Sequence, residues 1–449
     1  MMKQFIPMTG EDEKRILKRL GVSSFEEMID QIIPERFRCK EGLNLPPPIS
    51  ELEVRKLLRE YAGMNLDLSQ TVSFLGGGAY DHYIPTAVNE IVSRPEYYTA
   101  YTPYQAEVSQ GTLQTIYEYQ TAICNLTGME VANASMYEAG SALAEAIIMA
   151  HHIRKKNRVI LYDGINPHYL KVVETYLAGS IERLILIKNR EGRLDPDDLK
   201  NMIDDEVDCV VIQHPNFFGC LESVDEITRI AKKYGALVIG VVDPISLAIL
   251  KPPGLWGDEG ADIAVGEGQS LGIPIGFGGP YLGFFATRKQ FIRQVPGRII
   301  GRTEDLDGRP GFVMTLQTRE QHIRRERATS NICTNEALCA LSALVYLSLL
   351  GKNGLVEVAN QCLAKTRYLA ERVNPVFPHP YFKEITIELK NPKGFLARAL
   401  AEKILAGVDL GRFRPEWDRY LLIAITEKRT RDEIDRLIDL IKDYREGDL

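Results

Sequence analysis

Disulfide patterns, long apolar runs and an excess of positive charge are all missing from this sequence. Its seven cysteines (Cys39, Cys124, Cys209, Cys220, Cys333, Cys339, Cys362) are scattered and include no Cys-x-x-Cys pair. Odd number and wide spacing argue against a disulfide framework and fit reduced thiols in a cytoplasmic protein. The formal net charge of −7 disfavours nucleic acid or an anionic membrane as the main partner. No apolar stretch approaches the roughly 20 residues that span a bilayer. The longest apolar candidate, 337–350, is interrupted by Ser342, Tyr346 and Ser348 and reads as a core helix. The N-terminus has Glu11, Asp12 and Glu13 beside its basic residues and no apolar core, so neither a signal nor a transit peptide is expected. The histidines are dispersed. The one close pair, His151-His152, diverges by about 100° on a helix, so no metal site is expected there.

What is present is the composition of an ordinary globular chain: 449 residues, 45% hydrophobic and 26% charged, enough for two or three domains. Ser24-Phe25-Glu26-Glu27 and Ser50-Glu51-Leu52-Glu53 are capping-box patterns that each open a helix. Pro46-Pro47-Pro48 keeps the segment between them extended. Residues 1–65 therefore read as a helical arm that needs another surface to cover. From about residue 110 the pattern becomes a β-α repeat. Strands are expected at 131–136, 159–162, 184–187, 209–213, 236–242, 263–265 and 281–286, with helices at about 112–127, 140–156, 166–178, 196–204 and 223–234. This predicts an α/β fold with a mostly parallel sheet covered on both faces. The last apolar run has no helical partner, as an edge or reversed strand would. The spacing then predicts helices at 337–350 and 355–373, strands at 382–389 and 420–424, and helices at 394–405 and 429–445. A large domain, 66–334, is thus followed by a small α/β domain, 335–449.

Parallel sheets bind ligands where loops meet helix N-termini at the carboxyl ends of strands. At one such end, Glu138-Ala139-Gly140-Ser141 opens a helix. Its N–H groups could cradle a phosphate, but Glu138 puts a carboxylate in the way and favours a plain capped helix. At another, Asp243-Pro244 resembles the aspartate that keeps a pyridoxal ring nitrogen protonated; it is also ordinary turn chemistry. At a third, a glycine-dense turn (Gly276 to Pro280) follows Gln269, where pyridoxal phosphate enzymes carry the lysine that forms an imine to the cofactor. A primary amide cannot take that role. Lys251 and Lys289 lie in the wrong context to replace it. The run 317–334 sets Arg319, Arg324, Arg325 and Arg327 beside Thr329-Ser330-Asn331, a combination suited to holding an anion from one side. A charge-paired helix is the competing possibility. Tyr97 to Gln105 forms an aromatic loop, either an interface or ligand wall or simple packing. The glycines of 73–82 lack the strand and spacing of a dinucleotide site.

Taken together these segments resemble the glycine cleavage system P-protein, glycine dehydrogenase (decarboxylating), in its N-terminal half or subunit 1 form. The resemblance is carried by 74–85, 101–111, 131–145, Pro215 to Gly219, Asp243-Pro244, Gly278-Gly279-Pro280, Pro296-Gly297-Arg298 and 317–334. It implies the architecture of fold-type-I pyridoxal phosphate transferases and a reaction that releases carbon dioxide from glycine and passes the aminomethyl group to the lipoyl arm of H-protein. It also implies that the cofactor is held covalently by subunit 2, in a heterotetramer with two copies of each chain. Active sites of this fold lie between subunits. Tyr101, Tyr104, Gln105 and Arg319 are therefore expected to line a shared pocket, with Thr329, Ser330 and Asn331 approaching the partner's cofactor phosphate. Asp243 would be a remnant of a duplicated site. Two other functions remain open: a self-sufficient pyridoxal decarboxylase or transaminase using another lysine, and a scaffold that kept the fold without chemistry.

Overall fold

The computed structural model describes residues 8–39, 42–179, 183–276 and 278–447; residues 1–7 of the expected arm and Phe277 of the glycine-dense turn lie outside them. The chain divides into two compact units, Met1–Leu66 and Asp67–Leu449. In the first, helices Gly10–Leu20, Phe25–Ile32 and Glu51–Ala62 begin where Thr9, Ser24 and Ser50 accept hydrogen bonds from the first-turn N–H groups. None of these helices has a buried residue; Ile16, Phe25, Ile32, Leu52 and Leu58 are all exposed. Among the described residues, the arm's helices have the caps of stable helices but bury none of their own positions.

The second unit is built on a seven-stranded sheet. Its spatial order is Val131–Ala132, Gly283–Thr287, Ile263–Glu267, Leu237–Val242, Val207–His214, Arg158–Tyr162 and Arg183–Ile187. The last five of these run parallel. Gly283–Thr287 runs antiparallel to both of its neighbours, so the strand without a helical partner is reversed but not at the edge. Continuous β-branched runs suit strands buried on both faces: Leu237–Val242 is buried at every position. Gly240 sits at its centre because an added Cβ would lie 2.9 Å from the Trp256 ring.

Helix Ala139–Arg154 packs against four sheet strands and is buried on nearly all sides. The helix Ala337–Val373 is long and apolar enough to cross a membrane by length and composition alone. It is interrupted at Gly351, whose φ of 57° and ψ of −170° are not helical. Its first part buries Cys339, Ala340, Ala343 and Tyr346 in the main core, as a core helix does. The break falls where the expected pair of helices was to be joined.

A three-stranded antiparallel sheet (Glu384–Glu388, Tyr420–Ala424, Val408–Asp409) forms a separate layer. With helices Pro392–Ala401 and Arg431–Gly447 it encloses its own core, including Leu369, Ile387, Phe395, Ile423 and Ile438. Phe74 joins that core, because Val72–Ser73 pairs in parallel with Ile404–Leu405. The hairpin Ile299–Glu304/Pro310–Thr315 was not foreseen from the sequence.

Candidate functional site

The carboxyl ends of the central strands open on a cavity of about 40 Å³, lined among others by Tyr80, Tyr169, Asp243, Glu267, Lys383 and Glu384. Asp243 follows strand Leu237–Val242. Its carboxylate pairs at 2.6 Å with the ammonium of Lys383, a residue only 2% exposed. The same ammonium lies 3.5 Å from the Tyr80 ring centroid and 3.1 Å from His82 Nε2. His82 Nδ1 lies 2.6 Å from the Glu427 carboxylate. Burial, and then the Lys383 charge, hold His82 below its ordinary range. The partners thus select a neutral ring that donates from Nδ1 to Glu427 and accepts at Nε2 from Lys383.

Gln269, 2% exposed, clamps a neighbouring loop. Its Oε1 accepts the Tyr80 N–H at 2.8 Å, and its Nε2 donates to the carbonyls of Tyr80 at 3.1 Å and Ile273 at 2.7 Å. The Glu138 carboxylate accepts the N–H groups of Gly140 and Ser141 at the start of helix Ala139–Arg154. Glu267 takes the N–H of Ala139, along with those of Gln269 and Leu282. Burial pushes Glu267 and Glu384 up to about 7, and burial together with these carboxylates raises Tyr80 and Tyr169 well above 10.

These residues do not fit pyridoxal phosphate. The cavity has room for a few waters, whereas small-molecule pockets run from about 300 Å³ upward. A carboxylate already satisfies the helix N-terminus where a phosphate would bind. An ammonium already neutralises Asp243, leaving it no charge to offer a ring nitrogen, and the side chain of Gln269 is an amide, which forms no imine. Lys383 is the residue that sequence reading missed. Its position on the C-terminal layer, 140 residues from Asp243 (383 − 243), leaves no local signal. His82, Cys362 and Glu427 also bring potential ligand atoms within 4.8 Å of one another. There the imidazole is engaged on both nitrogens, and burial raises the Cys362 thiol, so the group is a hydrogen-bonded cluster with a protonated sulfur.

The remaining expected site residues lie elsewhere. Tyr101, 85% exposed, lines a separate cavity of about 240 Å³ with Tyr97, Tyr98, Arg298, Asn335 and Glu336. Tyr104, 55% exposed, faces the Arg298 guanidinium at 5.8 Å and the His322 ring at 6.1 Å. Gln105 is exposed beside it. Thr329 and Ser330 are half-buried and Asn331 is exposed. Ser330 Oγ accepts the Ile332 N–H at 3.0 Å and hydrogen-bonds Glu145, which burial pushes up to about 7.

Arg319, expected in the shared pocket, faces inward in this chain. It is buried, and its guanidinium donates to the carbonyls of Leu316, Val295 and Gly297. A side chain whose donors already meet carbonyls of its own chain anchors a loop. Arg324, Arg325 and Arg327 are exposed.

The sheet order, the reversed strand and the C-terminal layer define the class: fold-type-I pyridoxal phosphate-dependent enzymes. A solved glutamate decarboxylase from Lactobacillus brevis shares the fold, with a TM-score of 0.68 and 12% identity over 91% of this chain and 95% of that chain. A solved glycine decarboxylase (P-protein) of the glycine cleavage system, in inhibitor-bound form, matches with a TM-score of 0.88 and 40% identity over 98% of this chain and 100% of that one. The family described as glycine cleavage system P-protein matches residues 3–441. A relative from Carboxydothermus hydrogenoformans, described as probable glycine dehydrogenase (decarboxylating) subunit 1, is 50% identical over 98% of this chain and 99% of its own length. The chain belongs to the glycine cleavage system P-protein family.

Proposed function

We propose that this chain is the subunit of glycine decarboxylase that forms no imine, working only with glycine dehydrogenase subunit 2. The observation that carries this reading is Gln269, an amide with its polar atoms engaged on the chain's own backbone, together with an Asp243 already paired with Lys383. In the assembled enzyme, pyridoxal phosphate is bound covalently by the partner and supplies the electron sink for losing carbon dioxide from glycine. The aminomethyl group then passes to the lipoyl arm of H-protein. The complex is a heterotetramer with two copies of each subunit, located in the cytoplasm. The odd number and wide spacing of the cysteines support that location.

This chain's contribution is a wall of the partner's pocket. Tyr101, Tyr104 and Gln105 sit on an exposed loop available to another surface. The hydroxyls of Thr329 and Ser330, with the Asn331 amide, approach the partner's cofactor phosphate, while Asp243 is the remnant of a duplicated site. An arm (1–65), a large domain (66–334) and a small domain (335–449) organise the chain, a division supported by the separate core of the C-terminal sheet.

The test compares this chain alone with the chain plus subunit 2. Alone, with pyridoxal phosphate and borohydride, no lysine adduct is expected and no glycine–bicarbonate exchange. Exchange should appear on adding subunit 2, with the reduced adduct on that subunit. An adduct on this chain, or exchange by this chain alone, overturns the proposal.

A further inference from the structure

The Pro296-Gly297-Arg298 segment joins the tyrosine loop to the 329–335 loop through the Arg298 side chain. Arg298 is buried. Its Nη1 donates at 3.2 Å to both Thr334 Oγ1 and Asn335 Oδ1, and its Nη2 donates at 2.8 Å to the Cys333 carbonyl. The guanidinium also faces the Tyr104 ring and lines the open cavity with Tyr97, Tyr98 and Tyr101. Its Nε makes no hydrogen bond; Glu320, 3.8 Å away, balances the charge. Lysine has one donor group on a flexible stem and cannot hold three acceptors in one plane.

The backbone that carries Arg298 is itself fixed from several sides. Asn133 Nδ2 donates to the Pro296 carbonyl at 3.0 Å, and the Ala134 N–H donates to the Arg298 carbonyl at 2.8 Å. Arg319 donates to the carbonyls of Val295 and Gly297. Gly297 adopts φ 70°, and an added Cβ would press within 3.2 Å of Ile332, so this turn needs glycine for both conformation and space. The other end of the tethered loop is held by the Cys333 N–H on the Tyr137 hydroxyl and the Glu336 N–H on Ser135 Oγ.

We propose that Arg298 is the positioning residue of this chain's contribution to the shared active site, fixing the 329–335 loop against the tyrosine loop so that both present one preformed wall to the partner's cofactor pocket. This rests on the shared-pocket reading above. Arg298 acts through Cys333, Thr334, Asn335 and Tyr104, the groups its guanidinium holds.

The test uses the complex with subunit 2, carrying Arg298→Met, Arg298→Lys or Thr329→Ala/Ser330→Ala in this chain, after assembly is verified by mass. Losing several charge-assisted bonds predicts that Arg298→Met weakens pyridoxal phosphate retention about tenfold or more. The loss should fall on affinity more than on kcat at saturating cofactor, and Arg298→Lys should recover part of it. Native retention in assembled Arg298→Met, or a lowered melting temperature with native retention, overturns the role of Arg298. If Thr329→Ala/Ser330→Ala is weakened at the same time, the shared pocket still stands. Native retention in both variants removes the shared-pocket reading as well. If Arg298→Met does not assemble, Asn335→Ala removes one acceptor without burying a hole. A loss of about threefold is then expected, and unchanged retention overturns the proposal.

Discussion

The ammonium of Lys383 lies 2.6 Å from the Asp243 carboxylate, joining the C-terminal sheet to the end of a central strand of the main sheet. Removing one partner leaves a buried charge with no counterion, which costs about 3–5 kcal/mol. Lys383→Met should therefore unfold at markedly lower denaturant, whereas Lys383→Met/Asp243→Asn should recover most of the loss. A double-mutant cycle by chemical denaturation measures the coupling; purely additive losses would show that the pair is not an energetic unit.

Gln269→Lys tests whether a single residue keeps the cofactor out. With Lys383 on Asp243 and Glu138 on the helix N-terminus, the variant should give no borohydride-reducible pyridoxal adduct detectable by mass. It should also be less stable by about 1–3 kcal/mol, because the Tyr80 and Ile273 backbone groups lose their amide partner.

Much of the main sheet is legible in the sequence alone, because its strands are unbroken β-branched runs separated by helices of ordinary length. The break at Gly351 and the capped start at Glu138 were legible for the same reason: each is local chemistry. The hairpin 299–315 was missed, since short strands with exposed polar ends such as Arg302 and Glu304 carry little hydrophobic signal. Lys383 was missed because it reaches its site through tertiary packing. The inward turn of Arg319 is not legible, because a run of arginines does not reveal which one is buried.

Protonation of Glu384 gives the fold a pH dependence with a definite sign. Burial raises its folded value to about 7 from an ordinary 4.5, so the folded chain binds the proton more tightly than the unfolded one. The stabilisation is fully present below about pH 4.5 and is lost as pH rises through about 7. Glu384→Gln keeps an acceptor for Gly77 N–H and a partner for the Tyr80 hydroxyl. Melting temperatures from pH 5 to 8 should fall less steeply in this variant than in the parent; parallel slopes would rule Glu384 out as the source.

Glu138→Ala should cost about 1–2 kcal/mol, the usual price of losing a helix N-cap. Thermal melts should show this loss undiminished by added pyridoxal phosphate. Rescue by the cofactor would mean that a phosphate had entered where the carboxylate was.

The internal cap at Glu138 has a consequence for biogenesis. A helix whose N-terminus binds a phosphate gains that stabilisation only once the small molecule arrives. Here the counter-charge is encoded three residues from the donor it satisfies, Ser141, and is present the moment the ribosome releases the chain. The start of this helix is thus neutralised by the chain itself, with no bound anion needed to satisfy it.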